Sequence, residues 1–137
     1  VRQFFAATLS VLLLLFSLAL GANEGGGEKE GGGIVGPQYV PLEPVLVNLD
    51  GRRHYMRVVI QVLMEDAGSA EKLGSHMPAI RHSLIMLLSG RNLDQVSTVQ
   101  ERESLRVQAR EEVRKVLETF HAGKGVKDLF FTDFMVQ

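Results

Sequence analysis

An α+β domain is predicted by three features of this 137-residue sequence. Apolar and polar residues alternate from His54 to Glu65, the pattern of a strand with one buried face. Two helical periodicities follow, one short and apolar from His76 to Gly90, one long and charged from Ser97 to about Phe120. The sequence then closes on an aromatic-rich segment, Val126 to Gln137, that reads as a buried strand. Strands, then helices, then a final strand over about 100 residues make a small sheet packed against two or three helices around one core.

Composition narrows the function classes. With 45% apolar and 23% charged residues and a net charge of -1, the chain is ordinary globular material, with no general attraction to nucleic acid. It has no cysteine, so a disulfide framework and a thiolate metal site are both excluded, and the redox compartment stays open.

The first 22 residues are of a different kind. Phe4 to Ala22 carries no charge and is Leu-rich from Leu9 to Leu20, close to the roughly 20 apolar residues that span a bilayer. Phe4, Leu9, Leu12, Leu15, Phe16 and Leu20 are the candidate anchor residues. Two readings stand, a retained transmembrane helix or a secretory signal cut after Gly21 or Ala22. Both put the rest of the chain outside the cytoplasm, since Arg2 precedes the run and Glu24, Glu28 and Glu30 follow it against Lys29. Residues 23–36 hold seven glycines among fourteen and read as a flexible Gly/Glu linker with a reach on the order of 20 Å. No strand precedes these glycines and no Gly-Lys-Ser or Gly-Lys-Thr follows, so they do not read as a phosphate loop. The division is therefore 1–22, an anchor or signal; 23–36, the linker; and 37–137, the folded domain.

In that domain Tyr39 to Asp50 is β-rich, but Pro41 and Pro44 lack ladder donors, so it is expected as an edge strand or extended lead-in, regular only from Val45. Asp50-Gly51 signals a hairpin turn. Along His54 to Glu65, Met56, Val58, Ile60, Val62 and Met64 share the core face, with Tyr55, Arg57, Val59, Gln61, Leu63 and Glu65 opposite. Asp66 or Ser69 can cap a short helix through Leu73, with Gly74 and Pro78 as breaks. Pro78 then opens and Gly90 closes the apolar helix, whose Ile80, Leu84, Leu87 and Leu88 form one face. Ile80, Leu84 and Leu88 are expected on the sheet, Ile85 and Met86 against the long helix or a neighbouring chain. Arg91 to Val96 reads as a polar connection. Two overlapping capping boxes, Ser97 with Gln100 and Thr98 with Glu101, start the long helix. Its stripe is Leu105, Ala109, Val113, Val116, Leu117 and Phe120, and Gly123 and Gly125 are expected to end it.

No residue stands out as catalytic, metal-binding or cofactor-binding. His76 and His82 are six apart, roughly 240° around a helix, and cannot address one ion from one face. His82 is expected partly buried, in the core or at an interface. There is no HExxH and no Gly-x-Ser-x-Gly, and the paired carboxylates lie in a helix and a linker where solvation explains them. The one patterned charge feature is Arg102, Arg106, Arg110 and Arg114, a ridge at four-residue spacing on the long helix. It reads either as a solvated face with local ion pairs or as a surface for an acidic partner or the next subunit.

Five stretches together resemble the flagellar basal-body-associated FliL family. They are Tyr39-Val-Pro-Leu-Glu-Pro-Val-Leu-Val-Asn-Leu, the strand ending at Glu65-Asp66, His76-Met-Pro-Ala-Ile-Arg-His-Ser-Leu-Ile-Met-Leu-Leu-Ser, the turn from Leu93 to Thr98, and Val126-Lys-Asp-Leu-Phe-Phe-Thr-Asp-Phe-Met-Val-Gln. The resemblance implies a non-enzymatic, single-pass protein of the bacterial inner membrane at the flagellar basal body, with a periplasmic, stomatin-like (SPFH) domain. It further implies a homo-oligomeric ring around the motor stator that supports torque and swarming, without cofactor, metal or nucleic acid. On that reading Ile85, Met86, Arg102, Arg106, Arg110 and Arg114 are the candidate oligomer or partner contacts, and the apolar N-terminal segment meets the lipid bilayer. The alternative is a secreted periplasmic binding or scaffolding module outside the motor. Arg2 as the lone basic residue before the apolar run departs from the Lys-rich tail common in the family.

Overall fold

In the computed structural model, which describes residues 36–51 and 53–137, strand β3 (Tyr55–Met64) is the middle of an antiparallel sheet. The anchor and linker residues predicted from the sequence lie outside the described residues, apart from Gly36. The alternation of β3 sets the layers: Met56, Val58, Ile60, Val62 and Met64 are all fully buried, while the intervening side chains are half-buried or exposed. The helices accordingly pack on one face of the sheet.

The two prolines divide the first strand in an unexpected way. Strands β1 (Gln38–Pro41) and β2 (Val45–Asn48) are both regular, and both pair antiparallel with β3, β1 opposite residues 61–64 and β2 opposite residues 55–58. They share one edge of β3 in succession, because strand β4 (Val126–Val136) occupies the other edge along nearly its whole length. The expectation of order only from Val45 is thus corrected. The prolines interrupt the strand for three residues, and the N–H of Leu42 still reaches the Ile60 carbonyl at 2.9 Å. This edge is blunted. Pro41 and Pro44 offer no N–H, Arg81 donates to the carbonyls of Glu43 and Pro44 at 3.0 and 3.3 Å, and the N–H of Gly90 takes the Asn48 carbonyl at 3.0 Å. The turn to β3 uses Gly51 at φ 78°, and the Asp50 carboxylate accepts the Gly51 N–H.

Two helices then run almost end to end. Asp66 caps α1 (Ala67–Ser75) by accepting the Ser69 N–H, and His76 separates it from α2 (Met77–Leu88), with Pro78 in the first turn. On α2, Ile80, Leu84 and Leu88 are buried as their spacing requires, whereas Leu87 and Ile85 are half-buried and Met86 is 65% exposed. His82 is exposed, not partly buried, because it lies on the side of α2 away from the sheet. The stretch read as a polar connection contains a helical turn, α3 (Asp94–Ser97), which buries Val96 completely.

Of the two candidate caps, Thr98 is the one used: its hydroxyl accepts the Glu101 N–H, while the Ser97 hydroxyl turns back to the Leu93 carbonyl. Helix α4 (Val99–Glu118) buries Leu105, Ala109, Val113 and Leu117, with Val116 half-buried beside them. It ends before Phe120, which is 42% exposed and stacks on the His76 ring at 3.7 Å, nearly parallel. His121 makes the stop. At φ 58° it takes the left-handed position usually given to glycine, with its N–H on Glu118 and the Ala122 N–H on Leu117. Gly123 and Gly125, expected to end the helix, serve close packing in a 3-10 turn. A Cβ at Gly123 would lie 2.8 Å from the Arg114 carbonyl oxygen, and one at Gly125 would strike Ser69.

Strand β4 differs most from expectation. Only Val126 and Leu129 are buried; Phe130, Phe131, Phe134 and Val136 are half-buried and Met135 is exposed, because β4 is an edge strand. Two bulges shift its phase. Thr132 and Lys127 are each skipped in the pairing with β3, so the core face of β4 carries Val126, Leu129, Phe131, Phe134 and Val136.

Candidate functional site

The arginine ridge of α4 lies along the outer edge of β4. Tyr55 and Gln137 exchange two backbone hydrogen bonds, so the alternation of an antiparallel ladder turns the N–H and C=O of Val136 and Phe134 away from β3. Carried through the bulges, the same alternation turns out Phe131, Leu129 and Val126. Arg106 Nη1 donates to the Leu129 carbonyl at 2.8 Å, and Arg114 Nη2 to the Val126 carbonyl at 3.3 Å. The Asp128 carboxylate accepts the Leu129 N–H at 2.8 Å. Arg106 and Arg114, two helical turns apart, thus reach the outward carbonyls of Leu129 and Val126, and Arg110 between them lies beside the Asp128 carboxylate.

Charge along the ridge is matched unevenly. Arg106, 19% exposed, pairs with Glu103 at 2.6 Å and also with Asp128. Arg110 pairs with Glu111 at 3.1 Å and lies 3.8 Å from Asp128, and Arg114 pairs with Glu111 at 3.3 Å. The hydrogen bonds Arg106 donates to the Glu103 carboxylate are the foremost cause that raises its pKa beyond its already high value, so this guanidinium is charged at all working pH. Arg102 differs. Its Nε donates to the Val96 carbonyl at 2.9 Å and its guanidinium lies 4.7 Å above the Phe134 ring, yet no carboxylate among the described residues pairs with it.

Beside Arg102 is a groove of about 260 Å³ between the start of α4 and β4, lined by Phe130, Phe131 and Phe134, by Val99, and by Arg106 with its paired Glu103. Val99 is 76% exposed. The remaining candidates fall elsewhere. Ile85 packs partly into the core, and Met86 projects from α2 away from this groove. The anchor candidates Phe4, Leu9, Leu12, Leu15, Phe16 and Leu20 lie outside the described residues. Among the described residues there is no group of three or more His, Asp or Glu side chains that could hold a metal, and no helix long and apolar enough to cross a membrane.

The ion pairs fix a pH dependence. Burial works against the Asp128 carboxylate, but the Leu129 N–H and the Arg106 guanidinium outweigh it and hold its pKa below the ordinary value. A carboxylate depressed in the folded state contributes stability that is complete above the unfolded value, about 3.9, and is lost as pH falls through the folded value. Denaturant midpoints should therefore fall steeply below about pH 4. In Asp128→Asn that fall becomes shallower, and an unchanged acid slope would remove Asp128 from the account.

Comparison with known proteins adds an independent line. The sequence model of the family described as "Flagellar basal body-associated protein FliL" matches residues 39–137. A relative named "Flagellar protein FliL", from Aquifex aeolicus (strain VF5), is 28% identical over 105 residues, which is 75% of this chain and 63% of that protein. The chain thus spans less than two thirds of the length of that relative.

Proposed function

The chain belongs to the flagellar basal body-associated FliL family, and on that premise we propose that it is a non-enzymatic, membrane-tethered scaffold of the flagellar motor. The observation that carries the reading is the extent of the match, which runs from β1 to the last residue and so takes in the whole described sheet and its helices. The folded domain, of a stomatin-like kind, sits in the periplasm. The apolar run Phe4 to Ala22 holds the chain in the inner membrane, and residues 23–36 set its distance from the bilayer.

Its mechanism is assembly. Copies tethered in one membrane meet at high local concentration, so weak lateral contacts suffice to close a ring around the stator and hold the stator in its torque-bearing form. Met86, exposed on α2, and the half-buried Ile85 beside it are offered to such contacts. Of the arginines, Arg106, Arg110 and Arg114 are largely committed within the fold, which leaves Arg102 for a partner.

Deletion should reduce swarming and motor performance under load, and a crosslinker placed at residue 86 in Met86→Cys should capture either another copy or a stator subunit. Normal swarming, together with an absence of both crosslinks, would overturn the proposal.

A further inference from the structure

The arginine ridge protects only half of β4. The outward carbonyls of Val126 and Leu129 are met by Arg114 and Arg106, but beyond Leu129 the outward N–H and C=O groups of Phe131, Phe134 and Val136 have no partner among the described residues. Exposed strand groups of this kind are a template for another strand. Here the open length coincides with the aromatic groove and with Arg102, which pairs with no carboxylate among the described residues.

We propose that this edge of β4 takes an extended acidic peptide segment by strand addition, with a carboxylate of the segment on Arg102 and the aliphatic side chain two residues along, on the same face of the added strand, in the groove. The peptide's main chain would satisfy the outward groups from Phe131 to Val136, giving affinity without regard to sequence. Specificity comes from the side chains. The Phe134 ring holds the Arg102 guanidinium in place, Nε is occupied by the Val96 carbonyl, and Nη1 and Nη2 remain for a carboxylate. Arg106 does not compete, being already paired with Glu103 and Asp128. A second copy of this chain is a poor occupant. Its own β4 would bring a second unmatched Arg102 to the same place, and its β1/β2 edge is already blunted by prolines, Arg81 and Gly90. The proposal goes beyond the ring reading and does not rest on it, since its test has no motility readout.

The probe is a synthetic peptide, Thr-Thr-Val-Thr-Glu-Thr-Val-Thr-Thr, blocked at both ends, with both valines on the face of the glutamate, titrated against the full chain in mild detergent alongside the same peptide with Gln for Glu. The Glu peptide should bind about tenfold more tightly, as a charge-assisted hydrogen bond allows, and Arg102→Gln should erase the difference. Val136→Pro should abolish binding of both peptides. Its missing N–H points away from β3, so the ladder is kept, and should that variant fail to fold, the Arg102→Gln comparison decides alone. Equal affinity of the two peptides for the unaltered chain, or binding that survives in a folded Val136→Pro, would overturn the proposal. So would binding that appears only after Glu24, Glu28 and Glu30 are changed to Gln, which would assign the groove to the chain's own linker. Loss of an oligomer in Val136→Pro without peptide binding to the unaltered chain would assign it to a second copy.

Discussion

Leu84→Asp should abolish the fold. Leu84 is 1% exposed on the sheet side of α2, and a carboxylate there loses its hydration with no cation or donor placed to replace it. The cost of an unpaired buried charge, together with the lost apolar contacts, exceeds about 4 kcal/mol, a large part of the stability of a domain this size. Circular dichroism and resistance to proteolysis would show the loss. Met86→Asp, two residues along the same helix, should leave the melting curve within about 0.5 kcal/mol of the original, because Met86 is 65% exposed. A change confined to assembly in Met86→Asp would mark that side chain as a contact. A native-like melt for Leu84→Asp would show that α2 does not face the sheet as described.

The second large effect lies in β3. Ile60 is fully buried, with Leu42 donating to its carbonyl on one side and Phe131 opposite it on the other, where the bulge at Thr132 falls. Ile60→Ala should cost about 2–5 kcal/mol, the lost transfer energy plus that of the cavity left behind. Val59→Ala, on the opposite face, should cost less than about 1.5 kcal/mol. Equal losses at the two positions, measured by urea unfolding of the full chain, would mean that both faces of the sheet are covered.

Features whose cause is local were legible in the sequence. The alternation of β3 named its buried face residue by residue, and the caps at Asp66 and Thr98 lie where short polar side chains precede helical periodicity. What escaped depends on partners distant in sequence. Leu129, Phe131, Phe134 and Val136 are spaced two, three and two residues apart, and that broken period makes sense only once the bulge at Thr132 is known. Likewise, the arginine spacing showed a ridge but not its counterpart, since no local signal announces that the outward carbonyls of β4 lie alongside. His121 carries no stop signal of its own, a glycine two residues later being the commoner one. The groove beside Arg102 inherits these gaps, being built from a bulged strand and the start of a helix that meet only in three dimensions.

The blunted β1/β2 edge has a consequence for the domain at high local concentration. Runaway strand polymerisation needs two compatible edges on every molecule, one to donate and one to receive. In this domain the prolines, Arg81 and Gly90 withdraw the groups of one edge, so a strand added at β4 ends the growth it begins. Copies can therefore be concentrated side by side without seeding a fibre, and β4 can stay receptive because the opposite edge is closed.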